Sequence, residues 1–131
     1  MNLFESAEYA KSLSTCFKRP VGASLAINNT VVSLGFNHGG DEDCTCKLTK
    51  GTKNPNVKHA EVHCLENYEF LSNEYSEMAI TYMPCLDCSK YLVSKGIKAI
   101  YYLKHEFEPE KQLGINFLKE NGVIVRNEWS Y

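Results

Sequence analysis

Apolar positions along this chain change period several times, and the changes mark out its elements. Leu3, Ala7, Ala10 and Leu13 recur at helical spacing with Glu5, Glu8 and Lys11 off that face, which predicts an amphipathic helix over residues 2–15. Residues 21–27 and 30–36 are short apolar runs and predict two strands. Asn28-Asn29 between them predicts a hairpin turn, because asparagine tolerates positive φ. Residues 37–58 are polar and read as a long loop, a length that is usually functional or mobile in a small domain. A second helix is expected over 59–71, beginning with His59. A buried strand, 78–83, then runs into Pro84. Residues 85–95 predict a third helix with Gly96 as its stop. Residues 97–103 read as a strand, 109–121 as a fourth helix ending at Asn121-Gly122, and 123–126 as a last strand.

The order is therefore α-ββ-α-β-α-β-α-β. It predicts an α/β fold of three layers, a five-stranded mixed sheet with helices on both faces. The helix joining the last two strands permits them to pair in parallel. At 131 residues, with no repeat or linker, the chain reads as one domain over 1–131.

Composition narrows the setting. No apolar run approaches a membrane span, so no membrane partner is expected. Met1-Asn2-Leu3-Phe4-Glu5-Ser6 has neither a basic segment nor an apolar core, so no signal peptide is expected. Six cysteines without an export signal fit a reducing, cytoplasmic location and metal binding better than disulfides. A net charge of −2 with no basic stripe argues against a polynucleotide substrate.

The chemistry gathers in two segments, His59-Ala60-Glu61 and Pro84-Cys85-Leu86-Asp87-Cys88. Cys85 and Cys88 are spaced i, i+3, so both thiols face one way from a helix start, and Pro84 suits that start. A helix N-terminus favours thiolate, the form that binds metal. With His59 they make three ligands; a structural zinc site is closed by four, whereas a catalytic one keeps a position for water. Glu61, two residues from His59, is placed to carry protons beside that position. H-x-E followed by P-C-x-x-C is the signature of zinc deaminases, in which the glutamate is acid/base and not a ligand. Cys-x-x-Cys alone is often a zinc knuckle or a redox pair, but the four elements in this order leave that reading little room. His59-x-Glu61-x-His63 is not the metalloprotease motif, because Ala60 stands where that motif needs glutamate.

On these residues the chain resembles the zinc-dependent cytidine/deoxycytidylate deaminase superfamily over nearly its whole length. Within it the chain is most similar to the deoxycytidylate (dCMP) deaminases of bacterial and phage type. Histidine stands at the first ligand position, Cys16-Phe17-Lys18-Arg19-Pro20-Val21-Gly22-Ala23 resembles the family's C-x-R-R-x-V-G-A, and Gly35-Phe36-Asn37 resembles its G-Y-N. The helix expected before the last strand also fits this branch. The resemblance implies a cytidine deaminase-like fold in which His59, Cys85 and Cys88 hold Zn2+ and Glu61 shuttles protons. A zinc-activated hydroxide would attack C4 of cytosine in dCMP, giving dUMP for thymidylate synthesis and ammonia. It also implies that Asn37 bonds the sugar, that backbone groups of Ala60 and Met83 hold the pyrimidine edge, and that Lys18 or Arg19 faces phosphate. For the last two a solvated charged pair is the equal alternative.

The chain departs from the family at several places. Lys18 replaces arginine, His63 stands where the family often has asparagine, and Asn37-His38-Gly39-Gly40-Asp41-Glu42-Asp43-Cys44 replaces a G-x-P-x-G type segment. His105 and Phe107 are the candidates for the aromatic that stacks on the base. Cys16, His38, Cys44 and Cys46 offer four ligands for a second zinc, against the plainer reading of buried or surface thiols. Cys64 is expected in the core. The family is typically homohexameric, activated by dCTP and inhibited by dTTP with Mg2+. The candidate effector loop is residues 37–46, with His38, Gly39, Gly40, Asp41, Glu42 and Asp43, of which Asp41, Glu42 and Asp43 could hold a nucleotide's magnesium, or it could be only a solvated loop. The rival functions are deamination of another nucleoside or base, including guanine, or of a tRNA adenosine, and a catalytically silent binding module. Clustered basic residues would mark a polynucleotide enzyme, and a positioned Glu61 is of no use to a silent module.

Overall fold

The structure, a computed structural model, describes residues 2–15, 20–38, 58–71, 73–104 and 109–127. Helix α1 (Leu3–Ser12) is followed by the hairpin β1 (Gly22–Ile27) and β2 (Thr30–Phe36), then α2 (Ala60–Glu66), β3 (Ser76–Tyr82), α3 (Leu86–Lys95), β4 (Ala99–Lys104), α4 (Pro109–Glu120) and β5 (Ile124–Arg126). The sheet order is β2-β1-β3-β4-β5. β1 pairs antiparallel with both β2 and β3, while β3–β4 and β4–β5 are parallel, so the sheet is mixed, as the element order predicted. Asn28 and Asn29 take φ of 50° and 70°, which supplies the twist that a tight hairpin needs. Among the described residues no helix is long and apolar enough to cross a membrane.

Alternation along the strands sorts side chains onto two faces. Ala23, Leu25 and Ile27 of β1, Met78, Ile80 and Tyr82 of β3, and Ile100 and Tyr102 of β4 share one core with Cys64 and Leu65 of α2, Leu92 of α3, and Ile115 and Leu118 of α4. The other face is lined by small groups and takes α1. A Cβ on Gly22 would stand 2.1 Å from the Ala7 carbonyl oxygen and 2.2 Å from the Lys11 nitrogen, so only glycine lets α1 sit this close. Ser24 Oγ donates to the Leu3 carbonyl, fastening the same contact. Helices thus cover both faces.

Several boundaries moved for identifiable reasons. α1 starts at Leu3 because Asn2 caps it, accepting from Glu5 N–H while Glu5 accepts from Asn2 N–H. It stops before Leu13, which is 43% exposed and not part of the buried face. α2 was expected to reach residue 71 but ends at Glu66. Beyond Asn67 the chain leaves the helix, and Tyr68 and Phe70 pack against the core from a stretch that is neither helix nor strand. His59 and Cys85, expected as first helical residues, are the N-caps of α2 and α3. Gly96 closes α3 with φ 85°, the left-handed conformation for which glycine is favoured.

The topology brings one set of ends together. Because β1 runs against β3, the start of β1 lies beside the end of β3, and Gly22 N–H donates to Thr81 Oγ1 (3.0 Å). The end of β2 pairs with the start of β1 through Phe36 and Gly22. His38 and Lys58 bridge antiparallel, with His38 N–H to Lys58 O at 3.1 Å and Lys58 N–H to His38 O at 2.8 Å. The end of β2 therefore meets the start of α2, and the start of α3 follows β3 directly.

Candidate functional site

His59, Cys85 and Cys88 converge at that end of the sheet, with one ligand atom from each lying within 4.8 Å of the others. His59 Nδ1 is 3.0 Å from Cys88 Sγ and 3.8 Å from Cys85 Sγ. Tetrahedral zinc, with bonds of about 2.3 Å to sulfur and about 2.0 Å to nitrogen, sets N and S about 3.5 Å apart. The observed pairs bracket that value, so the donors fit the ion. Among the described residues this is the one such group.

The two thiols owe their proximity to the helix start. Cys85 Sγ accepts from Cys88 N–H (3.5 Å), so the N-cap bond that serine or aspartate usually makes is made here by sulfur. The hydrogen bond from the Cys88 thiol is the main cause that holds the Cys85 thiol well below its usual range, with His59 and the Cys88 N–H helping against burial. That same bond, followed by burial and the neighbouring Glu61, pushes the Cys88 thiol up. Glu61 is 4% exposed and its carboxyl is pushed up by burial, partly offset by His59. Two thiols and a carboxyl thus crowd one buried corner that holds one imidazole. Ionised together they would leave an excess of negative charge that a divalent cation neutralises.

Two close approaches hold the ligand-bearing segments in place. A Cβ on Gly35 would come 2.4 Å from the Ala60 oxygen and 2.4 Å from the Cys64 nitrogen, so α2 lies directly on the β2 backbone. A Cβ on Gly114 would meet Ser89 Oγ at 2.7 Å and the Cys85 carbonyl carbon and oxygen at 3.0 Å, so α4 closes on the start of α3. Ser89, fully buried, donates from Oγ to the Cys85 carbonyl (2.8 Å). Sequence reading gave Gly114 and Ser89 no role. The available signal was a glycine inside a helical pattern, which often marks a packing contact.

The other expected site residues divide into two groups. Ala60 is buried in the first turn of α2, and Met83 is 3% exposed just past β3. Asn37 is 8% exposed, and its Oδ1 accepts from Val21 N–H (2.8 Å) and Ser14 Oγ (2.5 Å). Its side-chain oxygen is thus part of the joint between α1, β1 and β2, a tether that sequence reading missed. His38 packs against Phe36 and His63, with ring centroids 5.6 Å and 4.7 Å away. Lys18, Arg19, Cys16, Gly39, Gly40, Asp41, Glu42, Asp43, Cys44, Cys46, His105 and Phe107 lie outside the described residues. Cys64, expected in the core, is fully buried there, and burial pushes its thiol up to about 12.

Comparison with known proteins agrees with this geometry. The sequence model described as "Cytidine and deoxycytidylate deaminase zinc-binding region" matches residues 2–104. ComE operon protein 2 of Bacillus subtilis (strain 168) is 30% identical over 122 residues, 86% of this chain and 61% of that protein. Deoxycytidylate deaminase of Mus musculus is 26% identical over 118 residues, 83% of this chain and 64% of that protein. The chain therefore spans under two thirds of the length of these curated relatives. The crystal structure of dCMP deaminase from the cyanophage S-TIM5, in complex with dCMP and dUMP, superposes with a TM-score of 0.76 at 32% identity, covering 95% of this chain and 93% of that one. With the ligand group standing where the family's zinc-binding region matches, the chain belongs to the cytidine and deoxycytidylate deaminase zinc-binding family.

Proposed function

We propose that this chain hydrolyses deoxycytidylate, with dCMP and water giving dUMP and ammonia. The observation that carries the reading is a carboxyl, Glu61, buried against a group of three zinc-type ligands, His59, Cys85 and Cys88. A zinc ion on those three ligands supplies Lewis-acid activation of water at neutral pH. Glu61 takes a proton from the attacking water and returns protons to the ring nitrogen and the departing amine, the role its position beside the ligands suits. Ala60 N–H, one of the orphan donors of the first turn of α2, and the backbone of Met83, past the last ladder pair of β3, hold the pyrimidine edge. Asn37 presents its amide NH2 to the sugar, since its oxygen is committed to Val21 and Ser14. Lys18 or Arg19 takes the phosphate, and His105 or Phe107 stacks on the base; the support for these is the resemblance. Likeness to the dCMP-bound cyanophage enzyme over nearly both chains favours a nucleotide over a free base.

The same reading extends to a cytoplasmic homohexamer activated by dCTP and inhibited by dTTP with Mg2+, on the strength of the resemblance and the acidic segment Asp41-Glu42-Asp43. Ammonia release measured on dCMP, deoxycytidine, cytidine, guanine and a cytosine-containing oligonucleotide tests the reaction. dCMP should give the highest kcat/KM by at least about tenfold, the discrimination that a site built to pair the phosphate supplies. Equal or better turnover of a phosphate-free substrate sinks the assignment. A dCMP saturation curve with and without dCTP tests the rest, and a hyperbolic curve unchanged by dCTP or dTTP, from a monomer, removes both effectors and hexamer.

A further inference from the structure

His63 sits in the middle of α2, one turn past His59, and its ring leaves the helix toward the sheet. Its Nδ1 lies 3.1 Å from both the nitrogen and the carbonyl oxygen of Phe36, so it bonds that residue's backbone in either tautomer, accepting the N–H or donating to the C=O. Its ring meets the Phe36 ring edge-on at 4.6 Å and the His38 ring at 4.7 Å. β2 is an edge strand, and at its end the pleat fixes which way each backbone group faces. Asn37 N–H turns inward to Val21 O (3.2 Å), so Phe36 N–H and His38 N–H turn outward, where no named strand among the described residues pairs them. The helix segment meets both. His63 bonds the Phe36 backbone, and Lys58, the residue before the metal-type ligand His59, takes the His38 N–H. Lys58 Nζ also pairs with Glu66 Oε2 at 2.6 Å, tying the two ends of α2 across the same clasp.

Asn37 lies between the two clasped residues. Its inward bonds set its height on the sheet, and the outward bonds of Phe36 and His38 set its place relative to α2. We propose that His63 is a positioning residue. It docks the Phe36–Asn37–His38 segment onto α2, so that the sugar contact keeps register with His59 and Glu61. This inference rests on the deaminase reading of the site. It predicts that removing the Nδ1 bond loosens substrate binding more than it slows the chemical step, because the ligands and Glu61 stand on the other side of the joint. Asparagine at this position carries an amide acceptor and donor in place of Nδ1 and should restore the bond to the Phe36 backbone, whereas phenylalanine keeps the ring contacts and loses that bond.

The test compares H63A, H63F and H63N with the parent in zinc content, KM and kcat for dCMP, and amide hydrogen exchange over residues 31–38. H63A and H63F should keep the parent's zinc content and exchange faster at 36–38. Their KM for dCMP should rise about tenfold, the scale of one lost buried hydrogen bond, while kcat falls less than about threefold. H63N should return both KM and exchange toward the parent. An unchanged KM in H63F, or zinc lost together with kcat, overturns the proposal. So does an H63N that behaves as H63A. Should H63A fail to fold, H63F carries the test. If the parent does not deaminate dCMP, the reaction assignment falls, and exchange at 36–38 alone decides the joint, with unchanged exchange in H63F overturning it.

Discussion

Gly35→Ala is the most economical probe of how the fold holds the site, because one methyl group should separate stability from metal geometry. The added Cβ would lie 2.4 Å from the Ala60 oxygen and 2.4 Å from the Cys64 nitrogen, and 2.7 Å from the Cys64 Cα, against an ordinary contact of 3.4–4 Å. All three are backbone atoms of α2, so no rotamer change relieves them, and the helix must retreat by about 1 Å. Overpacking of that kind costs about 1–3 kcal/mol. At about 4 °C per kcal/mol for a domain of this size, Tm should fall by roughly 4–12 °C. Ligand distances in a metal site tolerate only about 0.2 Å, so the retreat also carries His59 out of place and weakens zinc. Gly122→Ala is the control. Gly122 has φ +80° with nothing within 4 Å, so alanine there is strained by about 1–2 kcal/mol but moves no ligand. Gly114→Ala, against the Cys85 carbonyl at 3.0 Å, should fall between them. Thermal unfolding with and without a chelator, alongside zinc stoichiometry, reads both effects, since a ligand that binds only the folded state raises Tm by mass action. Gly35→Ala should show a lower Tm and a smaller chelator-dependent difference, and Gly122→Ala only the lower Tm. A Gly35→Ala protein with the parent's Tm and zinc content would refute the reasoning.

Three further outcomes follow from the same geometry. Glu61→Gln should keep zinc and bind dCMP yet lose about 10²–10⁴ or more in kcat, measured by ammonia release, and near-normal turnover would remove Glu61 from the chemistry. His59→Ala should lose zinc by elemental analysis, where the parent carries about one per chain, or two if the loop cysteines also bind; zinc retained at the parent's level would show that His59 is not a ligand. Cys64 has a thiol raised in the fold from 9.0 to about 12, so its contribution is fully present at neutral pH and is lost as pH climbs through that window. Cys64→Ala should therefore lower Tm at pH 7 but flatten its decline from pH 9 upward, and a decline as steep as the parent's would contradict the burial argument.

What could be read from sequence and what could not differ in kind. β2 was placed at residues 30–36 because its apolar run is bounded by a strong turn signal and by polar residues. The ligand trio was legible because a motif fixes residue types at set spacings. The end of α2 was not, since the apolar period continues through Tyr68 and Phe70, and only packing reveals that they reach the core without a helix. Nor was the bond from Ser14 to Asn37, which joins residues brought together by the paired ends of β1 and β2. Gly35 and Gly114 are of this sort too. Their roles are distances to another element's backbone, which no local pattern encodes.

The start of α2 shows why those distant contacts are needed. The helix has seven residues, too short to be stable alone, and the His59 side chain makes no capping bond to it. Serine, threonine, aspartate or asparagine in place of His59 would contribute about 0.5–2 kcal/mol there. The chain forgoes that because the imidazole is turned to Cys85 and Cys88. Glu61 adds a buried carboxyl to the same first turn, a further cost that propensity does not offset. Local preference thus opposes the fold at the residues that carry the chemistry, and contacts from elsewhere must outweigh it. They are the backbone approach at Gly35, the bond between His63 and the Phe36 backbone, the bridge between His38 and Lys58, and the pair between Lys58 and Glu66. Each joins α2 to the end of β2 or ties α2 to itself. The segment that holds Asn37 therefore shares the hold on the His59 helix with the core burial of Ala60, Cys64 and Leu65, so that losing one bond of the clasp shifts the segment before it moves His59.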